Sequence, residues 1–354
     1  MTTGASDLRV VRGRFMPLPM KDMTRRDRAS CPWKPILVKA VLTTTPKEDD
    51  PRKEEEDLQG QGKDDAQWII GQPVCHKAYL GSKGITFFKF LWLVMKLSEA
   101  RHRLMVMSGK GGVGKTTVAV NLALGLALYG RHVGLMDADV TGPNVPKMLG
   151  IEREFMEARE DRTVDPVFVS VGPGTGIEVA SMAFLAERDE PIVWKGPVKM
   201  QVLRQFAEDV SWGDLDYAIV DLPPGTSDEP VSIAQLVAPE GVIIVTTPYD
   251  VVLMDAERSL DMARNLGVPV IGVIENMSGF CCPKCGHNLS FKAGGGEKVA
   301  ERLGVPFLGR IEMDPGICRA GDEGKPFVLR TEMPAARSFD EIVRGLIERL
   351  EGES

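Results

Sequence analysis

Two cysteines stand close enough together in the sequence to share a metal. Cys282 and Cys285 lie in the stretch SGFCCPKCGHNLS, residues 278–290, and the chain has only six cysteines. A C-x-x-C pair supplies half of the four ligands that zinc and iron–sulfur centres usually take. No second pair exists among the remaining cysteines, which are Cys31, Cys75, Cys281 and Cys318. On spacing alone, a zinc site and an iron–sulfur cluster are equally compatible with this pair. His287 could contribute to a zinc site.

A glycine-rich stretch supplies a second kind of chemistry. SGKGGVGKTT, residues 108–117, matches the pattern G-x-x-x-x-G-K-[ST] and stands between a predicted strand and a predicted helix. Backbone N–H groups of such a loop surround phosphate oxygens, and the helix N-terminus adds partial positive charge. We expect Lys115 to neutralise the β- and γ-phosphates and the Thr116 hydroxyl to bind Mg²⁺. The predicted nucleotide-binding residues of this loop are Gly109, Lys110, Gly111, Gly112, Val113, Gly114, Lys115, Thr116 and Thr117.

Three acidic residues follow predicted strands. Asp137 and Asp139 come after HVGLM, and Asp221 ends DYAIVD. Ligands bind at the carboxyl ends of the strands in open α/β sheets, so these carboxylates are expected near the phosphates. Asp221 is predicted to hold the Mg²⁺ ion and its water shell. We assign Asp139 a catalytic role, orienting the attacking water, whereas Asp137 could instead only cap the turn.

The elements that must position these residues alternate along the chain. Near-continuous apolar runs, typical of buried strands, are separated by helical patterns from residue 103 onward. The predicted strands are LMVMS, HVGLM, DYAIVD, GVIIVTT and VPVIGVI. This order predicts an α/β fold, a P-loop NTPase with a mostly parallel sheet and helices on both faces. A last helix is predicted from Ser338, with Ser338 and Glu341 as its capping box.

The first part of the chain differs from the rest. Residues 1–98 include a long charged run with almost nothing to bury, which predicts a poorly ordered N-terminal extension, largely disordered or a linker. Residues 99–354 are predicted to form the ATPase domain that carries the C-x-x-C loop. An alternative is that translation begins near Met95 or Met107, and the sequence leaves both interpretations open.

Composition excludes several classes of protein. The chain has 354 residues and a formal charge of −7, which argues against a general nucleic-acid-binding surface. No apolar run reaches the roughly 18 to 20 residues of a membrane span. Six cysteines in this length do not form a disulfide framework. We therefore predict a cytoplasmic protein with no nucleic-acid partner and no membrane partner.

Several motifs in one order resemble a known family. GKGGVGKTTVAVNLAL, DADVTGPNVPKMLG, DYAIVDLPPGTSDEP and ENMSGFCCPKCGH are similar to the Mrp/ApbC family of iron–sulfur cluster carrier ATPases. The resemblance runs from about residue 103 to the C-terminus. It departs from the family at Ser227, which replaces a usual glycine, and at Cys281, which adds a third thiol beside the pair.

The resemblance implies a homodimer with ATP and Mg²⁺ between two protomers. Lys110 would reach the partner's nucleotide, and Asn276 would contact the adenine ring. Two C-x-x-C pairs, one per chain, would hold a [4Fe–4S] cluster through Cys282 and Cys285, which favours the cluster over zinc. The implied function is a slow ATPase that loads such clusters or transfers them to apo iron–sulfur proteins.

Two other functions share this kind of P-loop. A MinD/ParA-like positional ATPase would need a basic amphipathic C-terminal helix to lie on lipid, but residues 338–354 hold five acidic residues and two arginines. A nitrogenase-reductase-like electron donor would need two widely separated cysteines, and only Cys318 could join the pair. The cluster carrier is therefore the favoured function, with the positional ATPase as the alternative.

Overall fold

A computed structural model describes most of the chain from residue 96 onward. The described residues are 9–10, 96–159, 163–184, 196–226, 228–281, 287–289 and 292–352. Cys282, Cys285 and Ser227 lie outside them, as does most of the predicted N-terminal extension. The division of the chain at residue 98 therefore stays a prediction.

The described residues form thirteen strands and eight α-helices. The strands are β1 (Arg9–Val10), β2 (His102–Met107), β3 (Val133–Asp137), β4 (Glu157–Ala158), β5 (Val164–Asp165), β6 (Val167–Gly172), β7 (Thr175–Ser181), β8 (Tyr217–Asp221), β9 (Gly241–Thr246), β10 (Val270–Glu275), β11 (Phe280–Cys281), β12 (Asn288–Leu289) and β13 (Phe307–Arg310). The helices are α1 (Lys115–Leu128), α2 (Val145–Leu149), α3 (Gly196–Glu208), α4 (Asp228–Val237), α5 (Asp250–Asn265), α6 (Gly295–Leu303), α7 (Pro315–Asp322) and α8 (Pro334–Glu351).

Nine of these strands form one sheet in the order β1-β6-β7-β3-β8-β2-β9-β10-β13. Neighbours from β7 to β13 pair in parallel, whereas β6 runs antiparallel to β7 and β1 antiparallel to β6. The central strands β3, β8 and β9 are buried along their whole length. A strand buried on both faces takes apolar residues at most positions, which is why these runs are nearly continuous in the sequence; the polar residues Asp137, Asp221 and Thr246 stand only at their carboxyl ends.

Helices cover both faces of this sheet, as predicted. Helix α1 packs against α2 and α8, helix α3 packs against α4, and α5 packs against α6, while α8 also contacts β13. Crossovers between parallel strands are almost always right-handed, which would place α1 and α3 on opposite faces. Nearly every residue of α1 is buried. At Gly125 the packing is so close that an added side-chain carbon would lie 2.7 Å from Val343 of α8. The core is therefore built around the buried central strands and the helices that pack against them.

The predicted start of the last helix is wrong. Helix α8 begins at Pro334, with Met333 as its N-cap and no side-chain cap. Ser338 lies inside the helix and donates to the Pro334 carbonyl at 3.4 Å instead of capping. Proline is favoured at the first helical position because its missing N–H would have no intrahelical partner there. Among the helices of the described residues, none is long and apolar enough to cross a membrane.

Candidate nucleotide site and cysteine hairpin

The P-loop connects the end of β2 to the start of α1. Gly112 and Gly114 have φ angles of 81° and 86°, the left-handed region in which glycine is unstrained. Gly114 is the N-cap of α1 and provides no side-chain hydrogen bond to the first turn. The first N–H groups of the helix therefore stay available for an anion such as a phosphate.

Two glycines of the loop, Gly109 and Gly114, lie too close to neighbouring residues for any larger side chain to fit. A side-chain carbon added at Gly109 would lie 2.2 Å from the Asp255 carbonyl oxygen of α5. One added at Gly114 would lie 2.1 Å from the Asn276 amide nitrogen. Asn276 itself is buried and donates to the Val113 carbonyl at 2.8 Å. The described contact of Asn276 is thus with the P-loop backbone, and its predicted contact with adenine stays a prediction.

Lys115, Thr116 and Asp221 form one hydrogen-bonded group at the base of the loop. The Lys115 Nζ lies 2.6 Å from Asp221 Oδ1, and both side chains are buried, at 6% and 0% exposure. The Thr116 hydroxyl donates to Asp221 Oδ2 at 2.7 Å. Burial raises the pKa of Asp221, and the Lys115 ammonium and the Thr116 hydroxyl oppose that rise. The hydroxyl and the carboxylate are hard oxygen donors of the kind that Mg²⁺ takes, so the residues present fit that ion.

The two aspartates after β3 have different surroundings. Asp137 is fully buried and accepts hydrogen bonds from the Ser181 hydroxyl at 2.9 Å, the Asp139 N–H at 3.2 Å and the Val145 N–H at 3.3 Å. Burial and the nearby Asp221 charge raise the pKa of Asp137 to about 8. Asp137 thus caps the turn and orders the backbone of Asp139.

Asp139 is partly exposed on the same turn. One of its carboxylate oxygens accepts from the Gly142 N–H at 3.2 Å. Its charge is close enough to contribute to the raised pKa of Asp221. The role of Asp139 in orienting the attacking water stays a prediction.

Lys110 forms an ion pair with Asp255 of its own chain. Its Nζ lies 2.9 Å from Asp255 Oδ2 on α5, and Arg258 binds the other carboxylate oxygen at 2.9 Å. The lysine side chain is 48% exposed, whereas Asp255 is mostly covered. The Lys110 ammonium holds the pKa of Asp255 below its usual value. Sequence reasoning missed Asp255, because nothing in the pattern of an amphipathic helix distinguishes one acidic residue from its neighbours.

The predicted cluster ligands lie outside the described residues, but the strands on either side are described. Strands β11 and β12 pair antiparallel, with Cys281 opposite Asn288. We call β11 and β12 together the cysteine hairpin; the pair follows β10, and Cys282 and Cys285 lie between the two strands in the sequence. In the described part of the chain, no group of three or more histidines, cysteines and carboxylates could hold a metal ion.

Comparison with known proteins decides the family. Residues 99–347 match the model of the ParA family described as NUBPL iron-transfer P-loop NTPase. The chain belongs to this family. An iron–sulfur cluster carrier protein of Pyrococcus abyssi is 44% identical over 261 residues, which are 72% of this chain and 88% of that protein. The human cytosolic Fe–S cluster assembly factor NUBP2 is 44% identical over 248 residues, 69% of this chain and 90% of that protein.

A solved structure supports the same assignment. The nucleotide-binding protein of Archaeoglobus fulgidus, in complex with ADP, is 33% identical and has a TM-score of 0.59. The match covers 69% of this chain and 93% of that protein. The family resemblance and the P-loop NTPase fold predicted from the motifs are thereby confirmed.

Proposed function

We propose that this chain is an ATP-dependent iron–sulfur cluster carrier. It binds a labile [4Fe–4S] cluster between two copies of itself and transfers that cluster to apoproteins. The observation that carries the proposal is a P-loop site with its lysine, hydroxyl and carboxylate assembled, in a chain that also has a C-x-x-C pair in its sequence and is 44% identical to a named cluster carrier.

Lys115 is proposed to exchange its bond to Asp221 for bonds to phosphate oxygens when ATP binds. Lys115 is bonded to Asp221 at 2.6 Å, and phosphate oxygens would compete for the ammonium. Thr116 and Asp221 would hold Mg²⁺, which neutralises phosphate charge during hydrolysis. Asp139 would orient the attacking water. Because the phosphates are recognised mainly by backbone N–H groups at the start of α1, much of the site exists before ATP binds.

The dimer is proposed to complete both sites. Lys110 would leave Asp255 and reach the partner's phosphates. Each chain would give two thiolates, from Cys282 and Cys285, so that four ligands hold one cluster across the two-fold axis. A cluster at such an axis is accessible to a recipient protein, as a carrier requires.

The positional ATPase fits this chain less well. Its membrane-binding form needs a C-terminal helix with a free apolar face. Most apolar residues of α8 are buried in the domain, among them Phe339, Ile342, Val343 and Leu346. That helix therefore has no such apolar face to give to a lipid surface.

Anaerobic metal and acid-labile sulfide analysis of the purified protein, with its absorption spectrum, tests the proposal. A cluster carrier should contain iron and sulfide in equal amounts and absorb broadly in the visible range. Zinc without sulfide would overturn the assignment.

A further inference from the structure

A buried carboxylate holds both ends of the segment that includes the cysteine hairpin. Glu275, the last residue of β10, is fully buried. It accepts hydrogen bonds from the Ser278 hydroxyl at 2.5 Å, the Gly294 N–H at 2.8 Å and the Gly296 N–H at 2.5 Å. A buried carboxylate is costly unless it is compensated, and this one has donors from both ends of residues 276–294.

The same carboxylate caps helix α6. The N-cap of that helix is Gly294, which has no side chain to offer. Glu275 satisfies N–H groups of the first turn from outside the helix, and its negative charge is favoured at a helix N-terminus. A side-chain carbon at Gly296 would lie 3.1 Å from the Glu275 Cβ. The glycines are thus suited to a helix start that must approach β10 closely.

The residues after Glu275 contact the nucleotide loop. The Asn276 side-chain amide donates to the P-loop carbonyl of Val113 at 2.8 Å, and the Ser278 hydroxyl donates to the Glu275 carboxylate. Between them Met277 has a φ of 56°, left-handed backbone that costs a non-glycine residue free energy. Four consecutive residues, Glu275 to Ser278, therefore link the P-loop to the base of the cysteine hairpin.

We infer that Glu275 and Ser278 are positioning residues that couple nucleotide binding at the P-loop to the cysteine hairpin. The inference rests on the proposed carrier function. ATP that orders the P-loop would fix Val113 and, through Asn276, the segment from Met277 onward. The Glu275–Ser278 bond would pass this restraint to the hairpin base. Coupling requires a physical element that both sites bias. This segment contacts the P-loop through Asn276 and continues along the chain into β11.

Hydrogen–deuterium exchange of the full chain, with and without Mg²⁺ and a non-hydrolysable ATP analogue, tests the coupling directly. The analogue should slow exchange in residues 279–281 and 287–289 of the wild-type protein. In Ser278→Ala this protection should fall at least about twofold, while protection of the P-loop stays. Ser170→Ala is the matched control, because it removes a serine hydrogen bond of β6 far from the site.

A second measurement tests whether the coupling affects release of the iron–sulfur cluster. Iron release from the reconstituted protein to a chelator should respond to ATP in the wild type and in Ser170→Ala, but not in Ser278→Ala. Steady-state hydrolysis by Ser278→Ala should stay within about twofold of wild type, because its hydroxyl contacts no nucleotide-binding residue.

Two results would overturn the inference. The first is a wild-type hairpin whose hydrogen–deuterium exchange rate does not change when the analogue binds. The second is a Ser278→Ala hairpin whose exchange slows as much as that of the wild type. A wild-type protein that holds no iron would instead refute the carrier function, and the exchange measurement would still decide the coupling.

Discussion

Lys110 and Asp255 form an ion pair within one chain, with 2.9 Å between Nζ and Oδ2. This lysine is the residue proposed to act on the partner's nucleotide. If it does so, the pair must break when the dimer forms. The pair would then oppose dimerisation, but only weakly, because an ion pair that solvent reaches contributes little free energy.

Removing the charge of Asp255 should therefore favour the dimer. In Asp255→Asn we expect ATP-dependent dimerisation at a protein concentration about twofold to fivefold lower than in wild type, as measured by sedimentation. Asp261→Asn, on the same helix and paired with Arg264 instead, is the control and should behave as wild type. Weaker dimerisation in Asp255→Asn would mean that Asp255 positions Lys110 instead of restraining it.

Complementation tests the role of Lys110 in trans. Lys110→Ala should lose hydrolysis but keep most of its ATP affinity, and Asp139→Ala should also be inactive. In a mixed dimer, one of the two sites combines an intact Asp139 with the partner's intact Lys110. Mixing the inactive variants should restore part of the activity, and failure at every mixing ratio would exclude the trans role.

Lys115 should matter for both activity and stability. Lys115→Ala removes the charge that faces the phosphates and leaves the buried Asp221 without its counter-ion. Hydrolysis should be abolished, and the free energy of unfolding without nucleotide should fall by about 3 kcal/mol in chemical denaturation. Lys147→Ala removes an exposed ion pair with Glu152 and should cost less than about 1 kcal/mol. An active Lys115→Ala protein would contradict the assigned site.

The raised pKa of Asp137 predicts a pH dependence of stability. Its pKa is about 8 in the folded protein and 3.8 in an unperturbed chain, so the native state binds this proton more tightly. The free energy of unfolding of the metal-free protein should therefore fall as pH rises through this range. Asp137→Asn should be less sensitive to pH when denaturation midpoints at pH 5 and pH 8 are compared. Equal sensitivity of the two proteins would show that Asp137 is ionised throughout.

The sequence predicted the centre of the fold better than its edges. Strands such as β3, β8 and β9 are buried on both faces, so all but their last residues are apolar or glycine and the runs are easy to recognise. Strands β6 and β13 at the margins of the sheet were not predicted, because their mixed burial leaves no continuous apolar run.

The candidate site shows the same limit. Its P-loop and strand-end aspartates were predictable because their roles depend on local spacing. Asp255 and Glu275 were missed, because their roles depend on partners that only the fold brings close. Lys110 and Asp255 are far apart in sequence, and Glu275 reaches Gly294 and Gly296 only after the chain has returned from the hairpin.

Anaerobic reconstitution with iron and sulfide, read as irons per chain and oligomer mass, tests the bridged cluster most directly. Wild-type protein should bind about two irons per chain in a dimer. Cys282→Ser and Cys285→Ser should each lose the cluster, since each removes two of its four ligands, while Cys281→Ser serves as the matched control and should retain it. About four irons on a monomer, or zinc retained through reconstitution, would contradict a cluster shared between two chains.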